Sequence, residues 1–285
     1  MTTFFAWLDH SEHERRKMLD VIDLFREQDT RDELGIGTIR DAMADLLFPG
    51  TSTIQTRARY FLFVPWVYRA IEDKRLSGTE AAQRARKEEL ALVQPLVESG
   101  ETDGVIGIEA RHKLKRLPSA VYWQGLGSWG IRLFPGSQDQ YHRALERTYV
   151  ARAAQRDDDG EPVDGAARAT WDPRMPAAPR DFPKGATFAL TKREAEYLRE
   201  RLTGRWQGTL LAWLVDEGSA WESVEFPWEH PRASAFLAHV QEQLRHAQCF
   251  SETIHGAALL YNLMLAEAAA TQDRVEGYRE ALEAW

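Results

Sequence analysis

Two stretches of the chain carry side chains suited to holding an anion. The first follows Phe48-Pro49-Gly50 and contains Thr51, Ser52, Thr53, Gln55, Arg57 and Arg59. Hydroxyl, amide and guanidinium groups donate hydrogen bonds to phosphates and base edges, and a helix beginning near Thr51-Ser52 would add the free amides of its first turn. The second lies between Val105 and Arg156, where nine Lys or Arg residues stand against Glu109, Asp139 and Glu146, a local charge of +6. The whole chain has net charge −8, so the remainder carries −14. Within the basic stretch, Lys113, Lys115, Arg116, Arg132 and Arg143 are candidate contacts to a nucleic-acid backbone. An acidic protein partner would be drawn to the same segment, and charge asymmetry alone does not separate the two.

Other chemistries leave weaker marks. There is no glycine-rich phosphate loop ending in Lys-Ser/Thr, no dinucleotide fingerprint and no Gly-x-Ser-x-Gly elbow. Gly125-Leu126-Gly127-Ser128-Trp129-Gly130 imitates a dinucleotide loop, but no buried strand precedes it, and it is expected to turn from a helix into a strand of a winged unit. His10 and His13 sit among acids at an expected helix start, and a single cysteine excludes thiolate zinc sites. The expectation is therefore no catalytic residue, no metal and no cofactor. Cys249 is expected to be a core or half-buried thiol and His255 a hydrogen-bonded core histidine, whereas His112 and His142 lie where phosphate contact is open to them. Tyr122, Trp123, Trp129 and Phe134, interleaved with basic residues, either stack on bases or form a core.

These residues must be positioned by something, and the pattern is helical. Hydrophobic residues make up 44% and aromatics 11% of the 285 residues, with ten tryptophans, which is enough to fold most of the chain. No apolar run approaches the roughly 18 residues of a membrane span, and the N-terminus lacks a basic leader, so a cytoplasmic location without membrane contact is expected. Met18, Leu19, Ile22 and Phe25 form one helical stripe, and Ile39, Met43, Leu46 and Leu47 a second that stops at Phe48-Pro49-Gly50. The next helix becomes apolar nearly all round by Tyr60 to Ile71, with a kink or restart at Pro65. Leu133-Phe134-Pro135-Gly136 repeats Leu47-Phe48-Pro49-Gly50 from 86 positions earlier, which marks either a duplicated helix-turn-helix unit or two uses of one helix stop.

Prolines and glycines dominate from Asp157 to Lys184, an extended connector or covering arm. Beyond it, Thr191 and Glu194 spell a capping box, Phe236, Val240 and Leu244 form a stripe, and Ile254 to Ala268 reads as the buried central helix of a C-terminal domain. The chain ends in mid-pattern at Trp285, which leaves room for a longer native protein. The expected architecture is mainly α: a helical domain over 1–156 with helix-turn-helix or winged-helix-like units, a connector over 157–184, and a helical domain over 185–285.

The run from Gly35 to Tyr68, together with the Tyr122 to Ile131 stretch and Ile254 to Asn262, resembles the bacterial domain-of-unknown-function family 6361. That resemblance implies a phage-defence neighbourhood beside helicases and phospholipase-D-like proteins, and supplies no catalytic residues. The leading functional expectation is a non-catalytic nucleic-acid-binding or adaptor subunit of a bacterial anti-phage system, with DNA and other defence proteins as partners. The alternatives are a protein-interaction scaffold without DNA contact and a nuclease with a spatially assembled site.

Overall fold

A computed structural model describes residues 35–153, 169–217 and 224–285. The expected helix over Met18 to Phe25, the His10 and His13 pair, and part of the proline-rich segment lie outside the described residues. The chain divides into two compact units, 1–43 and 44–285. In the first, the described residues are Gly35, in a left-handed conformation, and the opening turns of α1 (Ile36–Leu47). All contacts discussed below lie within the second.

That unit is helical, as the sequence predicts. Helices α2 (Tyr60–Asp73), α3 (Gly78–Ala91), α4 (Val93–Glu98), α5 (Pro118–Ser128) and α6 (Gln138–Ala153) are followed by α7 (Lys192–Trp206) and α8 (Leu210–Glu217). The long α9 (Ala238–Ala268) and α10 (Gln272–Ala284) close the chain. Among the described residues no strand forms, and the one antiparallel bridge joins Arg132 to Trp171. No winged unit exists there: the glycine-rich segment expected to turn into a strand is instead the C-terminal half of α5.

Helix α2 is the centre of the core. Every residue from Tyr60 to Tyr68 is buried, and α3, α5 and the segment after Thr170 pack around it. Burying aromatic and branched side chains at roughly 1.5 to 3 kcal/mol each makes this the main stabilising feature. Pro65 does not break the helix. Because the helix begins at Tyr60 rather than near Thr51, Pro65 falls in its second turn, where only the Phe61 carbonyl loses a partner. The same core takes Trp171 and Met175 from the proline-rich segment and Tyr197, Leu198 and Leu202 from α7. The described part of the expected connector is thus a covering arm, with Trp66 donating to the Pro176 carbonyl at 2.8 Å and Trp171 to the Tyr141 hydroxyl at 3.0 Å. One core runs across the boundary expected at 157–184. A smaller cluster gathers Leu47, Leu210, Phe236, Val240 and Leu244.

Both Phe-Pro-Gly turns are docked on α5. Trp129, which caps α5, donates its indole proton to the Pro49 carbonyl at 3.0 Å, and Trp123 donates to the Gly136 carbonyl at 2.9 Å. Gly125 is required by the first contact, since a Cβ there would run into the Gly50 carbonyl oxygen, and Gly50 itself sits at φ 75° against Ser128. The apparent dinucleotide motif is a set of close-approach glycines: Gly127 makes room for the Arg132 guanidinium and Gly130 for Arg205.

Candidate nucleic-acid interface

The segment Thr51–Arg59 is not a helix start. Thr51 Oγ1 donates to the Phe48 carbonyl at 2.8 Å, and the Gln55 amide donates to the Gly50 carbonyl at 3.3 Å and to Val121 at 3.5 Å. Such local side-chain bonds satisfy the backbone without helix, so the segment becomes a chain of turns and α2 begins only at Tyr60. Tyr122, at the floor, accepts the amides of Thr56 and Arg57 at 2.8 and 3.0 Å and donates to the Arg57 carbonyl. The twelve-residue stretch between α1 and α2 is far longer than the roughly 3 to 4 residues of a helix-turn-helix, and α2 is buried, so α2 is not a recognition helix.

The two arginines of this segment are paired within the protein, Arg59 in the interior and Arg57 at the surface. Arg59 forms a buried ion pair with Glu194 at 2.9 Å and donates to the Thr187 carbonyl at 2.9 Å. Glu194 also closes the capping box of α7 by accepting the Thr191 amide at 2.7 Å, so one carboxylate ties α7 to the start of α2. Arg57 pairs with Asp103 at 2.5 Å and lies against the Phe188 ring. Ser52 and Thr53 are exposed, and Ser52 with Thr51 and Gln55 edges a recess of about 340 Å³ that Gln124, Ser128 and Trp206 complete.

The basic stretch divides in the same way. Arg132 is a brace: its guanidinium lies 4.8 Å from the Trp123 ring centre and donates to the carbonyls of Trp123, Phe134 and Gly136, and burial lowers its pKa. Arg143 is paired with Asp139 one turn back. His142, open to phosphate contact in the sequence, is buried and stacked on Tyr68, and burial lowers its pKa. Tyr122, Trp123 and Trp129 are buried and Phe134 packs against them, so these aromatics are core.

Lys113, Lys115 and Arg116 differ. They are exposed at the end of a short 3-10 turn (Arg111–Lys113) and on the loop after it, and no hydrogen bond or ion pair holds their side chains among the described residues. The loop backbone is fixed from behind, where Arg86 donates to the carbonyls of His112 and Leu114 at 3.0 Å each. Beside it lies a recess of about 420 Å³ lined by Leu90, Val93, Gln94, Val97, Ile108 and His112. Arg86, from α3, is the residue that sequence reasoning missed; its role is visible only once α3 is placed against the loop.

Another buried polar group stands out. Glu89 of α3 is buried and accepts the Ser119 amide at 2.7 Å, serving as cap for the first turn of α5, while its second oxygen has no partner. Burial pushes its carboxyl up to about 7. The described residues contain no group of three or more His, Cys, Asp or Glu side chains placed to hold a metal ion. Cys249, expected to be core or half-buried, and His255, expected in the core, are both exposed on α9.

No curated protein and no solved structure matches the chain. A family model does match, over residues 2–281, and it carries no activity with it. The chain belongs to the family of unknown function DUF6361.

Proposed function

We propose that this chain is a non-catalytic nucleic-acid-binding subunit that contacts a phosphate backbone through the 113–116 loop. The observation that supports this reading is the contrast among the candidate cations. Arg57, Arg59, Arg132 and Arg143 are engaged by the protein itself, whereas Lys113, Lys115 and Arg116 are exposed and unpaired among the described residues on a loop whose backbone Arg86 holds in place. A phosphate contact by such a cation costs no internal ion pair and releases condensed counterions. Ser52 and Thr53 remain free to donate, but as loop hydroxyls rather than as a helix N-terminus. The phage-defence setting implied by the sequence resemblance makes foreign DNA the ligand to test first.

Titrating the chain with duplex and single-stranded DNA over a range of salt tests the reading. Log affinity should fall with log salt, with a slope of about two to three for three phosphate contacts, and replacing Lys113, Lys115 and Arg116 together should remove most of that slope. A salt-independent affinity, or one untouched by the triple replacement, overturns it.

A second reading draws on the recess beside the loop, whose lining is largely apolar. Cations around an apolar recess also fit an acidic peptide with a hydrophobic anchor, the scaffold alternative. Co-purification of a protein partner that survives nuclease treatment and is lost on the same triple replacement would favour it.

A further inference from the structure

Helix α9 is read from its sequence as buried, yet its second half groups several of the exposed large apolar residues among the described residues. Leu260, Tyr261, Met264 and Leu265 are 51%, 61%, 60% and 49% exposed. At 100° per residue they share an arc with Ile254 and Ala257. The opposite side of α9 is taken by α10: Trp285 sits over Gly256 and donates to the Glu252 carbonyl at 3.0 Å, Arg279 pairs with Glu267 at 2.7 Å, and Ala266 and Val275 are buried between the helices. The exposed arc is thus the outer face of a closed hairpin, and no charged residue lies between Thr253 and Ala266.

We infer that this face is a two-fold interface with a second copy of the chain, the two α9 helices packing antiparallel about an axis near Leu259. Three observations identify the occupant. The arc is sterically self-complementary: antiparallel pairing about Leu259 sets Tyr261 against Ala257, Met264 against Ile254 and Leu260 against Ala258, each large residue over a smaller or branched one and every contact made twice. It is electrically neutral, so it offers an acidic or basic partner nothing to select, and in this register Glu252 and Glu267 fall opposite Ala266 and Ser251 rather than opposite each other. Its size also fits. From Phe250 to Ala268 the stripe is about 28 Å long and roughly 10 Å wide, of order 300 Å², the apolar centre of an interface that with its polar rim covers roughly 800 Å² per partner. The interface is separate from the 113–116 loop, so a dimer would present two such loops.

The test is sedimentation equilibrium of the intact chain over a wide dilution series, with Tyr261→Glu and Met264→Lys as independent variants at exposed positions. The native chain should reach twice its 32.6 kDa, and each variant should dissociate about a hundredfold more readily with its helical circular dichroism unchanged. Added salt should leave the dimer intact. Cross-linking fixes the register. Leu260→Cys in a Cys249→Ser background should join two chains through a short thiol linker, because the axis brings the two positions within about 3 Å along the helix. Native Cys249, about 30 Å from its mate in this register, should not cross-link. A monomer at every concentration, a dimer indifferent to both variants, or cross-linking through Cys249 instead of Leu260→Cys would each overturn the inference.

Discussion

The α2-centred core and the α9–α10 hairpin are built from similar material and end in opposite states. Both centre on helices rich in apolar residues, Tyr60 to Ile71 in one and Ile254 to Ala266 in the other. In α2 every residue from Tyr60 to Tyr68 is buried, because α3, α5, α7 and the arm around Trp171 surround it. In α9 only Val240, Leu244, Gly256 and Ala266 are buried, because among the described residues α10 covers one side of its second half. Apolar periodicity says that a face must be covered and not by what. The core is covered from within the chain; the hairpin, by our inference, is covered by its copy.

Breaking that comparison begins in the core, where effects are largest. Removing Arg59 leaves Glu194 as an uncompensated buried charge, so Arg59→Met should lose about 3 to 5 kcal/mol in urea unfolding, and the double replacement Arg59→Met with Glu194→Met should recover much of it. A single replacement without cost would show that the pair does not tie α7 to α2.

Glu89 comes next. Its carboxyl is raised above the ordinary value, so the folded chain holds a proton that the unfolded chain releases between the ordinary carboxylate range and about 7. Stability should therefore fall as pH rises through that window, by about 3 to 4 kcal/mol in all, and stay low above it. Glu89→Gln keeps an acceptor for the Ser119 amide and should flatten the profile, stabilising the chain at pH 8 while leaving pH 4 nearly unchanged. An unaltered pH profile in the variant would remove Glu89 as its source.

Gly125→Ala should cost about 1 to 3 kcal/mol, because the added methyl meets the Gly50 carbonyl and must spread the Phe48-Pro49-Gly50 turn from α5. Thermal unfolding measures it, with Gly277→Ala, where nothing lies within reach, as the control expected to be neutral or slightly stabilising. The smallest effects belong to the surface. Tyr261→Glu in the hairpin and the triple replacement of Lys113, Lys115 and Arg116 should each shift monomer stability by no more than about 0.5 kcal/mol while weakening association with, respectively, a second copy and DNA.

How much of this was legible depended on the distance between partners. The helix stop at Phe48-Pro49-Gly50 and the capping box of Thr191 with Glu194 are local and were readable directly. The mainly α class followed from periodicity. The segment Thr51–Arg59 reads as a helix start because its hydroxyls and amide suit a helix start and a self-bonded loop equally, and the choice depends on Tyr122, sixty-five and more positions away, taking the Thr56 and Arg57 amides. The fate of Arg59 depends on Glu194, 135 positions on, and that of Arg132 on the shape of the turn at Gly136. Charge counting found the basic stretch but not which of its cations were already committed. Only the packed chain separates Lys113, Lys115 and Arg116 from the rest.

The central claim, that this loop is where nucleic acid docks, is tested most directly by lysine footprinting. Acetylating the intact chain with and without DNA and quantifying each lysine should show Lys113 and Lys115 protected by DNA, with the exposed Lys184 and Lys192 unchanged as references. Equal modification of Lys113 and Lys115 in the free and DNA-saturated chain would contradict the account.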